Sequence, residues 1–116
     1  MADLEGAEYF FNLTSSQDLS AGPFDYTTAL DTDFKFLSVT ISGSQAFSQD
    51  VTVSLDAGAG SDYDSVLGKK TVTDKTDVNF SCCDCKFKAG DEIRIQVTNT
   101  GTPATTVYMK FIAEQQ

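Results

Sequence analysis

The chain has 116 residues, of which 41% are hydrophobic and 22% are charged, and its 8 Lys and Arg residues against 17 Asp and Glu residues give a formal net charge of −9. This length fits a single domain, and this apolar fraction excludes a disordered chain. The negative charge opposes binding to nucleic-acid phosphates and to an anionic membrane surface, so we expect neither partner. We interpret the charge as a source of solubility or as a complement to a basic protein partner.

The N-terminal part of the chain forms the first predicted unit. It contains the aromatic cluster Tyr9, Phe10 and Phe11, followed by a polar stretch, and it lacks the basic and apolar regions of a secretory signal. Two interpretations stay open, namely an edge strand or a docking arm formed by residues 1–20. Residues 21–116 are predicted to form the β-domain.

Residues 33–42 have an unusual pattern for a strand. Phe34 and Phe36 are predicted to lie on one face, and aliphatic residues at alternate positions from Leu37 to Ile41 on the other. This pattern predicts a strand that is covered on both faces, at the centre of a sheet or at a subunit contact. The predicted partner-binding residues are therefore Tyr9, Phe10, Phe11, Phe34 and Phe36.

Alternation of apolar and polar side chains predicts three strands with one face on a core and one in water, at Asp50–Asp56, 91–98 and 105–111. Turn signals such as Ser42-Gly43-Ser44 separate the strands. The full set of predicted strands covers residues 8–13, 24–30, 33–42, 50–56, 65–73, 77–81, 91–98 and 105–111. The sequence therefore predicts an all-β fold, an antiparallel two-sheet β-sandwich of about eight strands that is jelly-roll-like.

A glycine-rich loop that follows the strand Asp50–Asp56 gathers the carboxylates of Asp56, Asp62 and Asp64. Calcium favours flexible loops that are rich in oxygen ligands, but this spacing does not match the EF-hand pattern. We interpret the segment as a solvated hairpin loop in which Asp and Gly provide the turn geometry.

Cys82, Cys83 and Cys85 form the most conspicuous local cluster. An odd number of cysteines so close together does not indicate a disulfide framework. Cys82 and Cys85 match one half of a zinc site, but the chain has no second pair and no histidine to complete it. We therefore predict no metal, and interpret the cluster as a tight turn with one or two cysteines buried as small hydrophobic residues. A metal shared between subunits is the alternative.

The chain has no histidine, which excludes a Ser-His or Cys-His nucleophile within one chain. No motif marks a catalytic carboxylate pair, a catalytic lysine or a phosphate-binding loop. We predict that the protein is not an enzyme, that it has no catalytic residues and that it needs no cofactor. No apolar run approaches the roughly 18 residues of a membrane span.

Five segments in order carry a family resemblance: residues 36–41, 51–60, 63–67, 87–95 and 97–101, the first of which reads Phe-Leu-Ser-Val-Thr-Ile. They include a strand that ends in Leu-Asp-x-Gly and one that begins with Ala-Gly-Asp-Glu-Ile. Over roughly residues 34–112 the chain resembles bacteriophage capsid cement or decoration proteins with a jelly-roll fold.

The resemblance implies a structural protein on the exterior of the virion, made in the host cytoplasm. Its partners would be the major capsid protein and further copies of itself, with a trimer favoured. Binding only to the assembled shell would stabilise that shell by mass action.

The alternative function is a carbohydrate-binding or receptor-binding module of a phage tail fibre or another tail component, because the same motifs occur in such modules. Exposed tyrosines would then stack on sugar rings, and the candidates are Tyr26, Tyr63 and Tyr108.

Overall fold

The computed structural model describes residues 10–56 and 65–115. These residues form eight strands and confirm the predicted all-β antiparallel sandwich. The strands are β1 (Phe10–Asp18), β2 (Phe24–Ala29), β3 (Phe34–Phe47), β4 (Asp50–Asp56), β5 (Ser65–Thr71), β6 (Lys75–Phe87), β7 (Glu92–Val97) and β8 (Thr106–Gln115). Within the described ranges, no helix is long and apolar enough to cross a membrane.

The strands form two four-stranded sheets. Sheet A has the order β1-β8-β3-β6, and sheet B has the order β2-β7-β4-β5. The first strand thus pairs with the last, β2 with β7, β3 with β6 and β4 with β5, all antiparallel. This nested pairing is the connectivity of an eight-stranded jelly roll. It leaves β1 and β6 at the edges of sheet A, and β2 and β5 at the edges of sheet B.

The core lies between the two sheets and is built by alternate residues of nearly every strand. In β7, Ile93, Ile95 and Val97 are fully buried, as the period-two pattern predicts. In β8, the ring of Phe111 is fully buried and lies 5.7 Å from the ring of Phe36, measured between centroids. Burial of each such side chain stabilises the fold by about 1.5–3 kcal/mol relative to exposure.

A bulge at Leu37 corrects the interpretation of β3. Two successive residues of β8 lie opposite Phe36 and Ser38, so Leu37 has no residue opposite it. One extra residue reverses the alternation of side chains, so Phe36 and Val39 point to the same face. Both are buried, as are Phe34 and Ile41. The interpretation of a strand that is covered on both faces is therefore wrong, because all four side chains belong to one core face.

The turn predicted at Ser42-Gly43-Ser44 is also wrong, because β3 continues through it to Phe47. In this part of β3, the pairing with β6 has a register shift between Ser42 and Phe47. A Cβ atom on Gly43 would lie 2.6 Å from the backbone oxygen of Gln45 and 2.7 Å from the ring of Phe47. Only glycine fits this close approach, so the glycine serves packing within a strand instead of a turn.

The cysteine cluster lies within β6 and not in a tight turn. Against β3, the pairing passes from Ser81 to Cys85, so the cluster coincides with an irregularity in the strand. Cys85 is half-buried, packs against the core and is disulfide-bonded. The disulfide at Cys85 corrects the interpretation of the cluster as evidence against a disulfide framework. The loop of residues 57–64, interpreted as a solvated hairpin, lies outside the described residues.

Candidate interaction surfaces

The outer face of sheet A is formed by the side chains that alternate away from the core. Its centre is Tyr108 on β8, which is 53% exposed. The register places Ser16 of β1 and Ser42 of β3 on either side of Tyr108. Two residues after Tyr108 in β8, Lys110 is flanked in the same way by Thr14 of β1 and Thr40 of β3. These side chains border a broad, shallow depression of about 620 Å³.

Hydroxyl and amide groups dominate this face. The hydroxyl of Thr40 donates a 2.8 Å hydrogen bond to Oδ1 of Asn79 on β6, which orders the middle of the sheet. An exposed aromatic ring among hydroxyl groups combines an apolar body with many small hydrogen-bonding groups. Such a surface binds by shape, stacking and hydrogen bonds more than by charge.

Among the described side chains that the strand registers place on the outer face of sheet A, three carboxylates are accompanied by three ammonium groups. Lys35 and Glu114 pair directly across β3 and β8, with Nζ 3.6 Å from Oε1. Further charged side chains on this face include two carboxylates and two ammonium groups. Those are Asp18, Asp77, Lys86 and Lys110, placed outward by the strand registers.

The outer face of sheet B carries the best-defined ion pair of the described residues. The guanidinium of Arg94 donates two hydrogen bonds to the carboxylate of Asp25, of 2.9 Å from Nε and 2.6 Å from Nη2. The hydrogen bonds from Arg94 lower the pKa of Asp25 and raise that of Arg94, because each stabilises the charged form of the other. This pair ties the edge strand β2 to β7 and leaves little charge free for a ligand.

A cleft of about 280 Å³ opens between the two sheets, where the edge strands β5 and β6 face each other. Phe36 and Val53 form part of its apolar lining, and Phe80 lies at its side. The ammonium of Lys70 lies 5.1 Å from the centroid of the Phe80 ring and donates a 2.6 Å hydrogen bond to the carbonyl oxygen of Asn79. Because its ammonium group already makes these two contacts, Lys70 covers the cleft and is not well placed to bind a charged ligand.

The loops at one end of the sandwich are held by Gln49, which is 5% exposed. Its Oε1 accepts hydrogen bonds from the hydroxyl of Thr98 at 2.7 Å and from the backbone nitrogen of Thr100 at 2.9 Å. Its Nε2 donates to the carbonyl oxygen of Thr100 at 2.8 Å. Because both the oxygen and the nitrogen of this buried amide are hydrogen-bonded within the protein, Gln49 connects the loops and is not a ligand-binding group.

The predicted partner-binding side chains that the structure describes, those of Phe11, Phe34 and Phe36, do not form one exposed surface. Phe34 and Phe36 are core residues, 1% and 4% exposed, so the folded chain does not present them to a partner. Phe11 is half-buried and packs against the core. The backbone of Phe10 begins β1, and Tyr9 lies outside the described residues. A role of the N-terminal aromatic cluster or of the docking arm in partner binding stays a prediction.

Of the tyrosines predicted as sugar-stacking candidates, Tyr108 is exposed, Tyr26 is half-buried against the core, and Tyr63 lies outside the described residues. The outer face of sheet A as a set was missed from the sequence. The sequence shows which residues of each alternating strand are polar and face outward. Only the strand order shows that the polar residues of β1, β8, β3 and β6 lie side by side on one face. In the described part of the chain, no group of three or more His, Cys, Asp or Glu side chains could hold a metal ion.

No protein-family model matches this sequence, and no curated protein matches it either. Solved structures do match in fold. One is a chain in the acidic stable capsid structure of Helicobacter pylori bacteriophage KHP30, with 12% identity and a TM-score of 0.56 over 90% of this chain and 86% of that chain.

Two further matches have TM-scores below 0.5. One is the periplasmic g-type lysozyme inhibitor PliG of Aeromonas hydrophila, with 13% identity over 99% of this chain and 93% of that chain and a TM-score of 0.45. The other is the Drosophila NLP core, with 12% identity over 90% of this chain and 96% of that chain and a TM-score of 0.47. At these identities the KHP30 match shows a shared fold and nothing further, and the two weaker matches support no argument.

Proposed function

We propose that this chain is a structural protein of a bacteriophage particle, a cement or decoration protein that binds the outer surface of the major capsid shell. The observation that carries the proposal is the fold shared with a chain of a phage capsid structure over most of both chains. The sequence resemblance over residues 34–112 supports the same assignment. The proposal includes synthesis in the host cytoplasm and neither catalytic activity nor a cofactor.

We assign shell binding to the outer face of sheet A. A protein with a formal net charge of −9 repels other acidic surfaces, and burying its unpaired carboxylates would require their desolvation. The outer face of sheet A reduces both penalties, because three ammonium groups accompany three carboxylates there and Tyr108 lies between the hydroxyls of Ser16 and Ser42. Tyr108 supplies the exposed aromatic side chain that commonly dominates the binding energy of an interface.

Binding of this kind stabilises the shell by mass action. A protein that binds the assembled, expanded shell and not its separated subunits raises the free energy needed to take the shell apart. At a free concentration 100 times the Kd, each occupied site contributes about 2.7 kcal/mol. The acidic remainder of the chain would then face the solvent and keep decorated particles from associating.

The proposal is tested by mixing the purified chain with genome-free expanded heads of the phage that encodes it and separating bound from free protein by sedimentation. We expect saturable binding that Tyr108→Ala weakens by about 30-fold, which corresponds to the roughly 2 kcal/mol of a dominant interface residue. The matched control is Thr27→Ala, which truncates an exposed side chain on sheet B. Wild-type protein that fails to bind expanded heads would overturn the proposal.

A second candidate function is favoured by the same exposed tyrosine. Tyr108 surrounded by the hydroxyls of Ser16 and Ser42 could stack on a sugar ring while the hydroxyls bind its substituents, as in a carbohydrate-binding or receptor-binding module of a phage tail. A glycan array tests this function. Binding to a defined glycan that is lost in Tyr108→Ala, together with no binding to heads, would replace the capsid proposal.

A further inference from the structure

The four edge strands of the sandwich differ in how well they are protected. An edge strand exposes backbone N–H and C=O groups that can pair with another chain. Proteins usually block such pairing with lysines, prolines, bulges or very short strands. Sheet A has its edges at β1 and β6, and sheet B has its edges at β2 and β5.

Three of these edges carry such protection. The edge strand β6 starts at Lys75, contains Asp77 and is irregular around its cysteines. The edge strand β5 contains Lys69 and Lys70 and a register shift against β4. The edge strand β2 has only six residues, follows Pro23 and contains the ion-paired Asp25.

The edge strand β1 lacks these features. It is nine residues long and reads Phe-Phe-Asn-Leu-Thr-Ser-Ser-Gln-Asp. It has no proline and no lysine, and its register with β8 runs without a bulge from its first residue to its last. Its one charged residue, Asp18, is at the final position and accepts hydrogen bonds from the Ser20 hydroxyl at 2.7 Å and the Ser20 backbone nitrogen at 2.9 Å. A long, regular edge whose single charge lies at its end is suited to strand addition.

The inner side of β1 also has apolar surface that the fold leaves partly open. Phe11 and Leu13 are half-buried and pack against the core at the rim of the sandwich. A strand added beside β1 would cover these two side chains and extend the core past the edge. The apolar area would add to the backbone hydrogen bonds in stabilising the contact.

We propose that β1 binds a second copy of this chain by antiparallel pairing with the β1 strand of that copy about a two-fold axis. With Thr14 opposite itself, Asn12 lies opposite Ser16, and Asp18 lies opposite position 10, so no like charges face each other across the pair. Two copies with a formal net charge of −9 repel elsewhere, but on the adjoining outer face of sheet A three ammonium groups accompany three carboxylates. The two four-stranded sheets become one continuous sheet.

This inference does not rest on the proposed function, because it concerns only copies of this chain. It also differs from the trimer that the family resemblance implies, because a two-fold contact closes after two copies. The molar mass separates the two, since the pair has twice the chain mass of 12.5 kDa and the trimer three times that mass.

The experiment measures molar mass by light scattering after size-exclusion chromatography, at loading concentrations up to about 1 mM, where even a contact of about −4 kcal/mol is populated. We expect twice the chain mass for the wild type. In the variant with both Thr14→Lys and Ser16→Lys, the lysine at position 14 lies opposite its own copy and the lysine at position 16 lies opposite Asn12. The like-charge contact at position 14 should raise the dissociation constant of the pair at least about tenfold. Both positions are exposed, so the fold should persist, as checked by circular dichroism.

The matched control is Thr27→Lys on the exposed face of β2, which should leave the pair intact. Added lysines reduce the net negative charge, so weakening by the β1 lysines cannot come from general repulsion. Hydrogen exchange gives a second readout, in which the amides of β1 become more protected in the wild type as its concentration rises. A single-chain mass at every concentration, a mass three times that of the chain, or a pair unaffected by the β1 lysines would overturn the inference.

Discussion

Substitution Gly43→Ala is expected to destabilise the fold, although alanine is ordinarily accepted better than glycine within a strand. The added Cβ atom would lie 2.6 Å from the backbone oxygen of Gln45 and 2.7 Å from Cδ1 of Phe47. Phe47 is 3% exposed, and Gly43 itself pairs with Val107 of β8. Neither the carbonyl group nor the buried ring can move away without disturbing its own packing.

Two opposing effects set the magnitude. Overpacking of a core position costs about 1–3 kcal/mol. Replacing glycine by alanine also restricts the unfolded chain, which stabilises by about 0.4–1 kcal/mol. We therefore expect a net loss of about 1–2 kcal/mol. For a chain of this size, that loss lowers the Tm by about 4–8 °C.

The assay is thermal and urea unfolding followed by circular dichroism, with Gly22→Ala as the matched control. A Cβ atom on Gly22 would meet Nε2 of Gln17 at 3.5 Å, which is ordinary van der Waals contact. The control should be as stable as the wild type or more stable by up to about 1 kcal/mol. If Gly43→Ala is as stable as Gly22→Ala, the steric argument for glycine in β3 is wrong.

Two further predictions concern polar contacts. Gln49→Ala should destabilise by about 1–3 kcal/mol in urea unfolding, because it leaves the backbone groups of Thr100 and the hydroxyl of Thr98 without their buried partner. Asp25→Asn should lower the Tm at pH 7 only slightly, by the equivalent of about 0.2–1 kcal/mol, because the pair with Arg94 is partly exposed. Since Arg94 lowers the pKa of Asp25, this stability is present above the unfolded-state value of 3.8 and is lost as the pH falls through the lower folded-state value. The Tm difference between Asp25→Asn and the wild type should therefore shrink below pH 3.8, and a constant difference down to pH 2 would contradict the assignment.

The strands with clean alternation could be located from the sequence because their signal is local. In β7 and β8 each second residue is apolar, and those residues are the buried ones, from Ile93 to Val97 and from Val107 to Ala113. A side chain needs only its own neighbours along the strand to be assigned to one face or the other. The absence of histidine is equally a property of composition and needs no structure.

The face assignment of β3 could not be obtained in this way. Leu37 reads as one more member of an alternating run, yet it is the extra residue of a bulge. A bulge is defined by the strand opposite, and β8 lies far along the chain. The same limit applies to Gly43, which reads as a turn glycine but is required by contact with Phe47. Phe34 and Phe36 were assigned to a partner surface because the bulge was not visible.

By itself the sequence determined the all-β class, the approximate strand positions and the acidic character of the chain, because these depend on composition and on short-range periodicity. The tertiary structure decided which strands are neighbours, because the nested pairing joins residues from opposite ends of the chain. That pairing brings Ser16, Ser42 and Tyr108 together on the outer face of sheet A, and it leaves β1 as an edge strand without lysine, proline or a bulge. Both candidate interaction surfaces are thus products of strand order, which local sequence does not encode.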